Sequence, residues 1–220
     1  MISCSQLNIK KEVNVTKSKG ILNLEKSVSY DMLEEKIMVL AERGIICISG
    51  EITEGSSSIF FISTSFMQIT RPGQPIWIVM NTPGGNATEC FALCDMMRAI
   101  TNKGTAINIL GVGEIASAGV ALMQMGTMRY SFPLTRYLVH QIRGGSSSDE
   151  EVSQDEERLE EKKRLNKIYM ELISGRTGKS LNEIVELARK TDYWMSAEAA
   201  KRFGPNGLID EIVDTFPFEL

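Results

Sequence analysis

Residues 76–85 read Ile-Trp-Ile-Val-Met-Asn-Thr-Pro-Gly-Gly, an unbroken apolar run that ends at a turn with two adjacent glycines. A run of this kind is typical of a strand that is covered on both faces, as in a parallel sheet. Residues 87–100 then follow a helical pattern, and a further apolar run at 106–112 predicts the next strand. Alternating strands and helices indicate right-handed βαβ crossovers in one layered α/β domain.

The same rhythm extends in both directions from this stretch. Helical spacing and turn residues set the limits of the other elements. We predict helices at 31–43, 56–69 and 148–173 and strands at 45–48, 128–132 and 137–141. Residues 1–30 are polar and aperiodic, so we expect a flexible terminal arm there, followed by a single domain over residues 31–220.

The predicted helix at 148–173 is highly charged, and two interpretations of it stay open. Ser148 and Glu151 have the form of a capping box, and acidic and basic side chains then lie side by side at helical spacing. A solvated helix face explains such a run, but so does an arm that packs on another subunit, because one apolar stripe persists. The stripe consists of Leu159, Leu165, Ile168, Tyr169 and Leu172.

The composition excludes several classes of protein. A hydrophobic fraction of 43% and a charged fraction of 24% are typical of a soluble globular protein. The net charge of −4 gives no case for nucleic-acid binding, and the apolar runs are too short to span a membrane. Residues 1–20 contain no apolar core of a secretory signal, so we expect a cytoplasmic protein or one of an equivalent organelle interior.

Two short motifs suggest a metal or a nucleotide, and both have simpler explanations. Cys90 and Cys94 are spaced like a metal pair, but no second cysteine pair accompanies them, so buried reduced thiols are the better interpretation. Residues 178–180, Gly-Lys-Ser, resemble the end of a phosphate-binding loop, but the required earlier glycine is Ile173. A helix stop at 178 and a capping box at 180–183 explain the stretch. We therefore expect no metal and no cofactor.

The chemistry of the chain is concentrated at a second strand-to-helix junction. Residues 113–119, Gly-Glu-Ile-Ala-Ser-Ala-Gly, place Ser117 among small residues that let a helix begin tightly and let a substrate backbone approach. A serine hydroxyl needs a base that takes its proton, and His140 is the only histidine of the chain. The amide of Ala118 would remain free at a helix N-terminus, and the amide of Gly85 is the natural second donor to an oxyanion.

The acid that would orient the histidine is not decided by spacing. Asp192 stands before an aromatic pair and a helix start, where a carboxylate would be partly buried, as an orienting acid should be. Asp95 and Asp210 meet the same requirement. On the residues alone, all three aspartates therefore stay candidates for this role.

Four segments in this order resemble the Clp protease proteolytic subunit family over residues 30–213. Residues 81–85 are similar to its Asn-Ser-Pro-Gly-Gly, and residues 113–119 to its nucleophile segment, Gly-Gln-Ala-Ala-Ser-Met-Gly. Residues 138–141 and 192–197 resemble the segments that carry the catalytic base and acid. The resemblance implies a triad of Ser117, His140 and Asp192, an oxyanion hole at Gly85 and Ala118, and a substrate-binding strand at Gly144 and Gly145.

The same resemblance implies a spiral of repeated ββα units, related to the crotonases, with the helix near 148–173 as a protruding handle. Members form seven-membered rings that stack in pairs to a tetradecamer, with the active sites inside a closed chamber. An ATP-driven AAA+ unfoldase feeds this chamber, and the peptidase itself binds no nucleotide. We therefore expect a homo-oligomeric serine endopeptidase that cuts unfolded polypeptides to short peptides.

The chain departs from the family pattern near the expected substrate site and at its front. Ala118 stands where the family has methionine, Ile142-Arg143 replaces a proline-bearing turn, residues 204–207 form a longer loop, and residues 1–28 match poorly. Two alternatives to the peptidase stay open. One is a non-catalytic or regulatory ring subunit that assembles with an active paralogue, and the other is a phage-type capsid maturation peptidase of the same fold.

Overall fold

The computed structural model describes residues 35–143, 152–190 and 192–219, and the fold is given for these residues. Residues 37–220 group into one compact unit, which contains one hydrophobic core. The predicted terminal arm, the predicted domain boundary at residue 30 and the predicted capping box at Ser148 lie outside the described residues.

Strands and helices alternate along most of this unit. The strands are β1 (Ile45–Ser49), β2 (Ile76–Thr82), β3 (Ile107–Ala116), β4 (Met128–Ser131), β5 (Arg136–Val139), β6 (Tyr193–Ser196) and β7 (Glu211–Ile212). The helices are α1 (35–42), α2 (Glu54–Thr70), α3 (Ala87–Asn102), α4 (Ala118–Met123), α5 (Val152–Thr177), α6 (Leu181–Lys190) and α7 (Ala197–Lys201). Each element predicted from the sequence is present in its described part.

A mostly parallel sheet forms the centre of the unit. β1, β2, β3, β4 and β7 are parallel neighbours in that order, β5 is parallel to β3, and β6 is antiparallel to β5. β3 is ten residues long, so its first half pairs with β4 and its last residues, Glu114–Ala116, pair with β5. This sheet confirms the predicted α/β class. The ββα spiral and the handle stay expectations from the resemblance.

β2 is covered on both faces, as its apolar run predicts. Alternate residues from Ile76 to Met80 are at most 1% exposed and lie in the main core. On the other face, Trp77 is half-buried, and its ring lies 5.5 Å from that of Tyr130 and 5.0 Å from that of Phe218. The C-terminal segment therefore supplies the second cover of the strand.

Several predicted boundaries differ from the structure, and β3, for example, continues to Ala116 beyond its predicted end at residue 112. The long helix α5 continues to Thr177, whose hydroxyl donates to the carbonyl of Ile173 at 2.7 Å, and Gly178 with a φ of +70° ends it. The strand predicted at 137–141 ends at Val139, whose pairing with Tyr193 is the last one between β5 and β6. None of the helices in the described ranges is long and apolar enough to cross a membrane.

The two short motifs are structural. The capping box at 180–183 is confirmed, since the Ser180 amide donates to the Glu183 carboxylate at 3.0 Å and the Glu183 amide donates to the Ser180 hydroxyl at 3.4 Å. Cys90 and Cys94 are buried and carry no disulfide. Cys47 is a free thiol that is exposed, because it points away from the core on the edge strand β1. Cys4 lies outside the described residues.

A buried arginine fixes the loop at 204–207 that the sequence marked as unusually long. Arg129 is 1% exposed, and its guanidinium donates to the carboxylate of Asp210, to the side chain of Gln124 and to the carbonyls of Asn206 and Gly207. A buried charge needs such partners, because an unpaired one is costly to remove from water.

Candidate active site

Ser117 lies at the junction between β3 and α4, where the sequence predicts a strand-to-helix junction. Its φ of +53° is the only positive φ of a non-glycine residue in the described ranges. Its amide donates to the carbonyl of Leu138 at 2.9 Å, which ties the turn to β5. A non-glycine residue in this region costs about 1–3 kcal/mol, and such strain is concentrated at functional sites.

Gly84 lets the turn after β2 approach Ser117 closely. Its φ is +99°, and a Cβ at this position would lie 2.6 Å from the Cβ of Ser117. Thr82 and Ile52 hold the turn: the Thr82 hydroxyl oxygen accepts from the Gly84 amide at 3.1 Å, and the Ile52 amide donates to the Gly84 carbonyl at 2.8 Å. Both the backbone angle and the space therefore require glycine here.

Gly85 and Ala118, the two residues expected to form an oxyanion hole, line the same cavity as Ser117. Gly85 has a φ of +153°, and a Cβ there would lie 2.3 Å from the carbonyl oxygen of Ile52. The next amide, that of Asn86, already donates to this carbonyl at 2.9 Å. Ala118 is the first residue of α4, a position whose amide has no acceptor within its own helix.

His140 is half-buried just after the end of β5 and lines the same cavity as Ser117. Its Nδ1 lies 2.6 Å from the carbonyl oxygen of Gln141. Because a carbonyl oxygen only accepts, this hydrogen bond places a proton on Nδ1 and leaves Nε2 of the neutral ring as an acceptor. A ring in this tautomer is able to take a proton at Nε2.

Asp192 immediately precedes β6, and the pairing of β6 with β5 brings it close to His140. Both residues line a second cavity of about 390 Å³, which shares His140 with the first. The Asp192 carboxylate forms an ion pair with Arg143. His140 thus shares one cavity with Ser117 and another with Asp192, but its Nδ1 is hydrogen-bonded to the carbonyl of Gln141 and the carboxylate of Asp192 is paired with Arg143.

The other two candidate acids have different surroundings. Asp95 has a side chain that is 79% exposed and pairs with Arg98 on the surface of α3. Asp210 is held by the buried Arg129. Of the three aspartates, Asp192 is the one that shares a cavity with His140.

The cavity that contains Ser117 and His140 has a volume of about 650 Å³. Asn86 caps the start of α3, which forms part of the wall, by accepting from the amides of Thr88 and Glu89 at 2.8 and 3.2 Å. A further part of the wall belongs to the long helix α5. The α5 residues in this wall are Arg158, Glu161, Lys162, Leu165 and Tyr169.

This contribution of α5 is absent from the sequence-based account. Tyr169 is 3% exposed and belongs to the core of its own chain, whereas Leu159 at the other end of the apolar stripe is 51% exposed. The apolar stripe therefore lies in two environments, exposed at Leu159 and buried in the core of the same chain at Tyr169. Neither a solvated face nor a contact with another subunit explains the buried end. The signal that could have identified the wall is the spacing of Leu165 and Tyr169, which puts both on one face of the helix.

The floor of the cavity is uncharged. Cys90 donates from Sγ to the carbonyl of Ala118 at 3.3 Å. A hydrogen bond with Cys94, together with burial, raises the pKa of the Cys90 thiol, and burial raises the pKa of the Tyr169 hydroxyl. Both groups therefore keep their protons near neutral pH, so the charges around the cavity come from Arg143 and from ionic side chains of α5.

Gly144 and Gly145, where the resemblance implies a substrate strand, lie outside the described residues. Within the described ranges, no three His, Cys, Asp or Glu side chains are grouped as metal ligands would be. The cavity lining likewise suggests no particular cofactor.

A family model described as Clp protease matches residues 27–216 of the chain. The matched range contains the whole described sheet, the turn at Ser117 and both cavities.

Proposed function

Because the chain belongs to the Clp protease family, we propose that it is a serine endopeptidase of the proteolytic-subunit type. One observation carries this proposal: Ser117, in a strained turn, shares a cavity with His140 and with Gly85 and Ala118. A nucleophile, a base and two backbone donors around one space are the parts that acyl transfer requires.

In the proposed reaction, Oγ of Ser117 attacks the scissile carbonyl of a polypeptide while Nε2 of His140 takes the hydroxyl proton. The amides of Gly85 and Ala118 donate to the oxyanion that forms. His140 then gives the proton to the leaving amine, which departs and leaves an acyl-enzyme on Ser117. Water, deprotonated by His140, attacks this ester and releases the second product.

Asp192 would complete the triad after turning from Arg143 to Nδ1 of His140. In the structure, the carbonyl of Gln141 accepts the hydrogen bond from Nδ1 that Asp192 would accept in the triad. The imidazole ring therefore already has the tautomer that the reaction needs. A carboxylate stabilises the imidazolium that forms more strongly than a carbonyl does, because it carries a full negative charge. The described arrangement is therefore a resting one in this proposal.

We also propose that the active particle is a double seven-membered ring whose chamber receives unfolded polypeptides from an ATP-driven unfoldase. Exposed apolar side chains on α2 support an assembly: Phe61 is 59%, Ile62 is 60% and Ile69 is 80% exposed. Ile62 and Ile69 are seven residues apart and lie on one face of the helix. A group of exposed apolar residues on one element is typical of an interaction surface.

Hydrolysis of unfolded casein tests the peptidase proposal. Ser117→Ala should lower the rate by about 10⁴-fold or more, since the nucleophile is lost while the cavity stays intact. Ser49→Ala is the matched control, because Ser49 is exposed at the end of β1 and lines neither cavity. Casein cleavage by Ser117→Ala at the wild-type rate would end the proposal.

One observation favours a second candidate, a regulatory ring subunit that is silent alone. The carboxylate proposed as the catalytic acid is engaged by Arg143. In that case the purified chain would not cleave casein, and addition of an active paralogue would restore cleavage only in mixed rings. Cleavage by the purified chain alone would dispose of this candidate.

A further inference from the structure

Arg143 occupies a position between the two cavities. It lines the cavity of Ser117 and also the cavity that His140 shares with Asp192. Its side chain is 69% exposed, so that an incoming ligand can reach the guanidinium, while Asp192 is 37% exposed. The residue stands at the point where the chain departs from the proline-bearing turn of its family.

The Asp192 carboxylate has two candidate partners, the guanidinium of Arg143 and Nδ1 of His140. In the structure it pairs with Arg143, while Nδ1 of His140 donates to the carbonyl of Gln141. A turn of Asp192 towards Nδ1 of His140 would weaken its pairing with the guanidinium of Arg143 or break it. An arginine favours a planar carboxylate partner over any neutral one, because two parallel N–H donors match two oxygens.

A carboxylate of the substrate is able to replace Asp192 as the partner of the Arg143 guanidinium. The side chains that line the two cavities include four basic residues, Arg143, Arg158, Lys162 and Arg189, and two acidic ones, Glu161 and Asp192. Basic side chains thus outnumber acidic ones in the lining of the two cavities, and by three to one in the cavity of Ser117 alone. The positive electrostatic potential of these basic groups favours an acidic side chain of a bound polypeptide.

We propose that Arg143 is a specificity-determining residue that selects polypeptides with an acidic side chain near the scissile bond. The substrate carboxylate pairs with the guanidinium, Asp192 is released to Nδ1 of His140, and the closed triad becomes more populated when such a substrate is bound. This inference rests on the proposed peptidase function and adds the class of substrate to it. It requires no further covalent step, since only ion-pair and hydrogen-bond partners are exchanged.

The exposure of the pair sets the size of the effect. Exposed ion pairs of this kind are weak, so the exchange shifts the fraction of closed triads by about fivefold at most. We therefore expect a preference among substrates, not an absolute requirement for an acidic residue.

The test compares peptides that differ only by Glu against Gln, placed at successive positions on both sides of one scissile bond. Wild type should cleave the best Glu peptide with a kcat/KM about fivefold above its Gln partner. Arg143→Met should lose this ratio and cleave the Gln peptide faster than wild type, because Asp192 is no longer held away. Arg98→Met is the matched control, since Arg98 is an exposed arginine paired with Asp95 that lines neither cavity.

A spectroscopic measurement separates this role from simple charge attraction. His140 is the only histidine, so ¹⁵N-histidine labelling gives a single imidazole whose Nδ1 proton reports its acceptor. In the Ser117→Ala background, binding of the Glu peptide should shift the Nδ1 proton resonance, and binding of the Gln peptide should not. The additional substitution Arg143→Met should shift the resonance without any peptide.

The outcomes distinguish the inference from the function on which it rests. Equal cleavage of the Glu and Gln peptides by wild type, or a preference that survives in Arg143→Met, would overturn the role of Arg143 and leave the peptidase standing. If wild type cleaved neither peptide, the proposed function would fail first. The imidazole measurement needs no turnover. An Nδ1 resonance that does not shift when the Glu peptide is added would therefore overturn the inference even if wild type cleaved neither peptide.

Discussion

Replacement of Gly84 by alanine tests whether the site depends on the close approach of the turn after β2 to Ser117. An alanine Cβ would lie 2.6 Å from the Cβ of Ser117, about 0.8 Å short of the 3.4 Å at which ordinary contact begins. Either the serine or the turn must move by nearly that distance. A displacement of about 1 Å of a reacting group costs about 100-fold in rate, and we expect this loss of peptidase kcat/KM in Gly84→Ala.

Gly104→Ala is the matched control for backbone strain. Gly104 has a φ of +92°, close to the +99° of Gly84, but nothing lies within 4 Å of a Cβ built there. Strain at positive φ should cost both variants about 1–2 kcal/mol of unfolding free energy. Gly84→Ala should lose more than Gly104→Ala, because its Cβ also meets Ser117. Only Gly84→Ala should also lose activity.

The assay combines urea unfolding followed by tryptophan fluorescence with cleavage of a fluorogenic peptide. Gly84→Ala that kept a third or more of the wild-type kcat/KM would refute the reasoning, since the position of Ser117 would then not depend on the close approach. Equal loss of activity in Gly84→Ala and Gly104→Ala would also refute it, because strain alone would explain both.

Two further substitutions test the core. Burial alone would raise the pKa of Asp210, but the hydrogen bonds and charge of Arg129 outweigh it and hold the pKa below its ordinary value. This pair stabilises the fold above the unfolded pKa of about 4 and loses its effect as the pH falls through the lower folded pKa. Asp210→Asn should therefore lower the free energy of unfolding in urea by about 3–5 kcal/mol at neutral pH and by progressively less in acid. The control Asp95→Asn should lower it by under about 1 kcal/mol. Equal losses in the two variants would contradict this explanation of the Arg129–Asp210 pair. Tyr169 has a buried hydroxyl without a hydrogen-bond partner among the described residues, so Tyr169→Phe should raise the thermal midpoint by about 2–4 °C in calorimetry, and a lowered midpoint would show an unrecognised partner.

The sequence predicts those parts of the fold that depend on local patterns. The apolar run of β2, the glycines that follow it and the small residues around Ser117 each restrict the backbone where they stand. Hydrophobic periodicity and glycine positions are therefore sufficient for β1 to β5, for the long helices and for the two turns that meet at the cavity, whereas β6 and β7 are not predicted.

The parts that depend on distant residues could not be predicted in this way. Local spacing leaves three aspartates as candidates for the acid, and the family resemblance, not a local pattern, points to Asp192. The pairing of β6 with β5 puts Asp192 near His140. The ion pair between Asp192 and Arg143 joins residues 49 positions apart, and no local pattern indicates it. The cavity wall formed by α5 is likewise a consequence of tertiary packing.

The central claim is that Ser117 is a nucleophile that His140 activates. Treatment with a fluorophosphonate, followed by peptide mapping by mass spectrometry, tests it most directly when each sample is also sized by light scattering. We expect one adduct, on Ser117, in ring-sized wild-type particles, none in Ser117→Ala and a much slower reaction in His140→Ala. An adduct on another residue, or unlabelled Ser117 in well-formed rings, would contradict it.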